Sequence, residues 1–178
     1  MLKKFARIPN PEELRAYLTD MLPLFEKDIS SYAPGRYRLW LFHEALLGRK
    51  EIKLAHFDQR LWDFCQRTYP GSNIALLTYN GNAQAWKSNG TIRPHRDDTY
   101  AIDKAIGCNL GSASFVYNPN RSNTDTDLCD RIPLSDGDIY SFNCKHLHGV
   151  AEASSPRFSL NIWKLKEDSR YPGFKPLF

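Results

Sequence analysis

No apolar run in this sequence is long enough to cross a bilayer, and the basic start, with Lys3, Lys4 and Arg7, leads into no apolar segment of an export signal. A soluble cytoplasmic protein without membrane association is expected. Cysteine is sparse: Cys65, Cys108, Cys129 and Cys144 are scattered, with no CxxC pair. That excludes a zinc ribbon and a dense disulfide framework, and reduced thiols are expected. No internal repeat is visible, which excludes a solenoid. Neither charge sign dominates: the formal net charge is +4 over 178 residues. Such a balance tolerates a polyanionic partner but is far from that of a histone.

Apolar residues, at 42%, are enough for a real core, and the length is that of one domain. Asn10-Pro11-Glu12-Glu13 reads as a helix start, with Asn10 as N-cap and Glu13 closing a capping box. Leu14, Tyr17, Leu18 and Met21 continue it as an apolar stripe up to Pro23. Residues 37–42 suit a strand, or a helix running on into Glu44-Ala45-Leu46-Leu47, and 58–67 a second helix capped by Asp58 and ended at Tyr69-Pro70-Gly71. From residue 74 the texture changes. Residues 74–79, 91–97, 105–110, 114–117, 138–142 and 158–164 read as short strands divided by polar or glycine-bearing turns, with a polar loop at 118–130. The expected organisation is one mainly β (α+β) domain. It comprises a helical N-terminal part and possible substrate lid at 1–72, a β barrel or jelly roll at 73–166, and a tail at 167–178.

The chemistry concentrates in Arg93-Pro94-His95-Arg96-Asp97-Asp98. Side chains two apart on a strand face the same way, so His95 and Asp97 can grip one ion. So short a motif is common by chance. A second histidine from Lys145-His146-Leu147-His148-Gly149 would complete two imidazoles and a carboxylate. Such a facial set leaves positions open and suits Fe(II) oxygen chemistry, although zinc accepts the same ligand types. His146 and His148 both qualify; His43 and His56 lie outside the β part. Downstream, Arg157, Ser159, Asn161 and Trp163 alternate with Phe158, Leu160 and Ile162. One strand face is thus apolar, and the other carries a guanidinium and a hydroxyl into the barrel. A buried arginine needs an anion: a carboxylate ligand on a bidentate fork, or a local acid such as Glu152.

These pieces in this order resemble the Fe(II)/2-oxoglutarate-dependent dioxygenases, and within them most the AlkB-like group. The resemblance runs from about Leu76 to Trp163. It rests on Leu77-Thr78-Tyr79, His95-Arg96-Asp97, the stretch Asn109 to Phe115, Pro133 to Asp138, His148-Gly149 and Arg157-Phe158-Ser159-Leu160. It implies a double-stranded β-helix with His95, Asp97 and His148 as iron ligands, the glycine after His148 favouring that histidine over His146. It further implies Arg157 on the distal carboxylate of 2-oxoglutarate, with Ser159 and Tyr79 hydrogen-bonded to the same cosubstrate. Two departures stand out. Leu77 occupies the place of the group's usual asparagine, and Trp163 that of its second arginine, leaving Asn161 as a substitute. The segment between Tyr79 and His95 is also longer than usual.

The implied reaction consumes 2-oxoglutarate and O2 and hydroxylates a C–H bond; on an N-methyl group, loss of formaldehyde makes it a demethylation. The AlkB likeness points to an alkylated nucleobase in nucleic acid. Trp86, Arg93, Arg96 and Tyr100, with Lys87 and Lys104 nearby, would supply stacking and phosphate contacts. Arg93 shares the parity of His95 and is expected inward, where it could instead pair with Asp98. Hydroxylation of a small molecule or a protein side chain is the second reading. A metal-binding β-barrel module without turnover is the third, disfavoured by a carboxylate clamp it would not need.

Overall fold

The computed structural model describes residues 1–28, 30–42, 45–47, 51–53, 55–81, 90–97, 101–120 and 128–166. Thirteen strands and two α-helices run in the order β1 (Lys3–Arg7), α1 (Pro11–Asp20), β2 (Glu26–Lys27), β3 (Tyr37–Leu41), β4 (Ala45–Leu47), β5 (Glu51–Lys53), α2 (Gln59–Thr68), β6 (Ile74–Asn80), β7 (Ile92–His95), β8 (Lys104–Leu110), β9 (Ala113–Asn118), β10 (Asp130–Leu134), β11 (Asp138–Asn143), β12 (Leu147–Ala153) and β13 (Arg157–Trp163). They build a seven-stranded sheet ordered β1-β11-β8-β13-β6-β3-β2 and a four-stranded sheet ordered β10-β9-β12-β7, with β4 and β5 as a separate pair.

The helices begin where their caps dictate. Asn10 Oδ1 accepts the Glu13 amide at 3.2 Å, and Asp58 Oδ1 the Leu61 amide at 2.8 Å. Asp58 has a second task, because its Oδ2 receives the Tyr17 hydroxyl at 2.5 Å and ties α1 to α2. The N-terminal part is not the helical unit expected. It also holds five strands, and β1, β2 and β3 extend the large sheet at its two edges. The basic, fully exposed β1 has no strand-like alternation, so only its pairing with β11 reveals it. β10 is not among the expected strands and begins where the expected loop at 118–130 ends; it carries Pro133, tolerated because the strand lies at a sheet edge.

Strand alternation divides the large sheet into two faces. Leu39, Leu41, Leu77, Phe158, Leu160 and Ile162 pack with Leu14, Leu18, Leu61 and Cys65 of the helices. On the other face Trp40, Leu76, Tyr140 and Trp163 meet Phe115, Tyr117 and Val150 of the small sheet. The layers are therefore helices, large sheet and small sheet, and the space between the two sheets holds the site. All four cysteines are free thiols, and burial pushes the Cys65 thiol well up and that of Cys108 to about 12.

Asp58→Ala removes both a helix cap and the α1–α2 tie. It is expected to lower unfolding stability by about 1–2 kcal/mol, read from the urea midpoint, with Asp58→Asn recovering part of the loss.

Candidate metal centre

β7 and β12 meet at the open end of the sandwich, with His95 directly opposite His148. His95 Nε2 lies 3.5 Å and His148 Nε2 3.4 Å from the same Asp97 oxygen, Oδ1, and all three ligand atoms fall within 4.8 Å of one another. Neighbouring ligands held about 2.1 Å from one ion stand roughly 3 Å apart, so this triangle fits a single metal. The rings are also in the required tautomer. His95 Nδ1 is 2.9 Å from the Arg93 carbonyl and His148 Nδ1 2.9 Å from the His146 carbonyl. A carbonyl only accepts, so each Nδ1 carries the proton and each Nε2 keeps a free lone pair. Phe142, 4.8 Å from the His148 ring, and Phe115, 6.0 Å from it, wedge that imidazole in place.

Asp97 is held from behind. Trp163 Nε1 donates to its Oδ2 at 2.9 Å, leaving Oδ1 turned toward the histidines. Burial by itself would raise the Asp97 pKa, but protonated His148 and His95, donating from Nε2 while no metal is bound, outweigh it and hold the carboxyl far below the usual range; with the imidazoles neutral, a metal on their Nε2 lone pairs would take over that role. The group is thus a ready anionic ligand. Trp163 occupies a position where the sequence departs from the pattern of the family it resembles, and here it orients the Asp97 carboxylate. Strand alternation had already put it on the face of Arg157; its partner across the barrel was not visible from the sequence.

His146 is not part of the triangle. It sits in the turn before β12, where strand parity does not apply, and its Nδ1 meets the Tyr117 hydroxyl at 2.7 Å. A bulge at β7 explains another difference. The register moves from His148↔His95 to Val150↔Ile92, so β7 carries one extra residue. Ile92 and His95 therefore both line the cavity, and Arg93, expected inward by simple alternation, points out. Its Nη2 donates to the Ser31 carbonyl at 2.7 Å and its guanidinium lies 5.4 Å over Tyr32. Gly149 permits this close approach: a Cβ there would come within 2.5 Å of the Ile92 oxygen and 3.0 Å of the Pro94 nitrogen.

The triangle opens into a cavity whose far wall is β13 and β6. Arg157, Ser159, Asn161 and Trp163 all line it, as alternation along β13 predicts. Arg157 is 5% exposed, and its Nε donates to Asn109 Oδ1 at 2.8 Å. Asn109 is itself fixed through Nδ2 to the carbonyls of Gly111 and Ser135. Glu152 pairs with Arg131 instead, and no carboxylate among the described residues meets Arg157. Burial lowers the Arg157 pKa. Beside it stands Tyr140, whose hydroxyl has no hydrogen-bond partner among the described residues and whose pKa burial raises strongly.

Tyr79 is not in the cavity. It points to the helix side, with its ring 4.7 Å from Phe158, and its neighbours Thr78 and Asn80 line the cavity instead. Of the expected substrate residues, Arg96 is half-buried, whereas Trp86 and Tyr100 lie outside the described residues, as do Lys87, Asp98 and His43. Sequence reasoning missed Asn109, Tyr140, Thr78, Asn80 and Arg36 as cavity residues or supports. Parity along β6 and β11 is the signal that could have found three of them.

No family model matches the sequence, and no curated protein matches it either. Solved structures do. OsALKBH1 superposes with a TM-score of 0.65 at 12% identity, covering 92% of this chain and 97% of that one. A prolyl-4-hydroxylase from Pseudomonas putida gives 0.55 at 16%, covering 93% and 92%. The epimerase SnoN, in complex with Fe3+, alpha ketoglutarate and nogalamycin RO, gives 0.58 at 11%, covering 92% and 78%. The chain therefore has the jelly-roll fold seen in 2-oxoglutarate/Fe(II) oxygenase structures.

Trp163→Phe keeps the packing and removes the donor to Asp97, so Fe(II) affinity measured by anaerobic titration should fall about 10–100-fold. Gly149→Ala forces β7 away from β12. It should destabilise the protein by about 1–3 kcal/mol and weaken the same titration; full retention of metal affinity would contradict the close-approach role of Gly149.

Proposed function

We propose that this protein is an Fe(II)- and 2-oxoglutarate-dependent oxygenase that hydroxylates a C–H bond, with His95, Asp97 and His148 holding the iron and Arg157 receiving the distal carboxylate of 2-oxoglutarate. One observation carries this reading. A metal triangle and a buried guanidinium lacking a carboxylate partner among the described residues face one cavity. A buried arginine so placed demands an anion, and a cosubstrate with a chelating end and a carboxylate end meets both demands at once.

When bound, the iron, 2-oxoglutarate and O2 supply the oxidation: 2-oxoglutarate leaves as succinate and CO2, and one oxygen atom enters the substrate C–H bond. The protein's own residues position and insulate. Asn109 aims Arg157, while Ser159 and the Tyr140 hydroxyl stand beside it as further donors to the same carboxylate. Thr78, Asn80 and Asn161 supply neutral polar groups along the same wall, Asn161 as the substitute for the second arginine of the AlkB-like pattern, whose place Trp163 occupies. Trp163 keeps Asp97 turned to the metal, and Phe115, Phe142 and Val150 make the floor apolar, so that water is excluded and the reactants are held close.

For the substrate, the likeness to OsALKBH1 supports the AlkB-like reading, oxidative demethylation of an alkylated nucleobase. Tyr32, exposed and 5.7 Å from the His95 ring, offers a stacking surface at the mouth. The likeness to the prolyl-4-hydroxylase supports hydroxylation of a protein side chain, and that to the epimerase SnoN, seen with nogalamycin RO, supports a small-molecule substrate. Incubation with N-methylated oligonucleotides followed by mass spectrometry separates them. Loss of methyl mass supports demethylation; succinate release without it removes the nucleobase reading.

Anaerobic addition of Fe(II) and 2-oxoglutarate should give a weak visible charge-transfer band. His95→Ala, Asp97→Ala and His148→Ala should abolish it, and His146→Ala should keep it. The reverse pattern for the two neighbouring histidines would overturn the ligand assignment. Arg157→Met should retain Fe(II) binding but raise the 2-oxoglutarate concentration needed for the band by tenfold or more, about the worth of a charge-assisted hydrogen bond.

A further inference from the structure

β3 lies next to β6 in the large sheet, on the side away from Arg157, and its register sets Arg38 opposite Thr78 and Trp40 opposite Leu76. Thr78 and Leu76 line the cavity, so Arg38 and Trp40 project to the same side of the sheet, although neither is itself a lining residue. Arg38 is 2% exposed. Its Nη1 donates to Asp28 Oδ1 at 3.1 Å and its Nε to Glu26 Oε1 at 3.2 Å, but its Nη2 is buried without a partner. Just before β3, Arg36 is itself part of the cavity wall. It spends Nε and Nη2 on Asp28 Oδ2, at 2.8 and 2.6 Å, and its Nη1 has no partner among the described residues. Asp28, 5% exposed, thus holds two guanidinium groups side by side and leaves one nitrogen of each uncommitted.

We propose that Arg36 and Arg38, braced by Asp28, form an anion subsite for the primary substrate, which carries a carboxylate or phosphate group near the carbon to be oxidised. The inference rests on the oxygenase reading and deepens it. Leaving a guanidinium N–H buried and unpaired is costly, and a negatively charged oxygen is its best acceptor. Among the described residues, the charged groups that line the cavity, the two histidines aside, are Arg36, Arg157 and Asp97. Burial lowers the Arg157 pKa, and the nearby Arg36 charge adds to that in smaller measure. Trp40 Nε1, also buried without a partner, adds a neutral donor on the same strand face.

The test uses the full chain loaded anaerobically with Fe(II) and saturating 2-oxoglutarate, titrated calorimetrically with phenyl phosphate, phenylacetate and the neutral phenylacetamide. Wild type is expected to bind at least one of the two anions and to bind phenylacetamide tenfold or more weaker; the tighter anion tells phosphate from carboxylate. Arg36→Gln and Arg38→Gln should each weaken anion binding tenfold or more, with the charge-transfer band still present to report a folded, cosubstrate-loaded site. Arg36→Lys, which keeps the charge beside Asp28, should retain binding within a few-fold and guards against loss of fold in the glutamine variant. The proposal is overturned if neither anion binds wild type, if Arg36→Gln binds them equally well, or if saturating 2-oxoglutarate expels them. Absence of the charge-transfer band in wild type would instead sink the oxygenase reading, a separate outcome.

Discussion

The antiparallel pairing of β12 with β7 brings His148 opposite His95 across a bulge, and the rest of the site is arranged around that contact. The bulge moves Asp97 and His95 to the cavity side together, and Gly149 lets the two backbones approach closely enough for it to form. Each histidine donates its Nδ1 proton to a carbonyl of its own strand region two residues back. The same backbone path that places the rings therefore also selects their tautomer. Ligand position and ligand chemistry are not independent here, because both follow from where the chain turns into and out of these two strands.

Facing that pair, β13 works as a ruler. Its inner positions present an arginine, a hydroxyl, an amide and an indole in sequence, and its outer positions are apolar and bury against the helices. The arginine and the indole are the ends of the ruler: Arg157 for an anion, Trp163 for the ligand carboxylate. Because the second end is an indole and not a cation, Asp97 is oriented by a neutral donor, and the positive groups on this side of the sheet are Arg157 and, near β3, Arg36 and Arg38. The wall next to β3 is accordingly the distinctive part of this cavity, and the substrate should be sought by its charge as well as by its shape.

Much of this was legible in the order of residues. The two helix caps, the alternation along residues 157–163, the inward pairing of His95 with Asp97 and the glycine after His148 are local signals, and each reflects a short-range rule of backbone geometry. The edge strands β1 and β10 were not legible, because an exposed basic strand and a proline-bearing one owe their conformation to a neighbour and not to their own pattern. Tyr79 shows the limit of a motif without parity: its own strand turns it to the helices and gives the cavity to Thr78 and Asn80.

The sequence by itself determined which residue types and which strand faces were available: a histidine–carboxylate pair, a choice of second histidine, and an arginine face opposite an apolar one. Only the tertiary structure decided among them. A bulge resets parity for Arg93, a turn removes His146 from it, and Trp163 acquires its role only where Asp97 comes within hydrogen-bond reach from sixty-six residues away. The same holds for Arg36 and Arg38, which in sequence are ordinary basic residues. The nitrogen of Arg38 that Asp28 and Glu26 leave over is buried without a partner, and Arg36, held by the same Asp28, stands in the cavity wall.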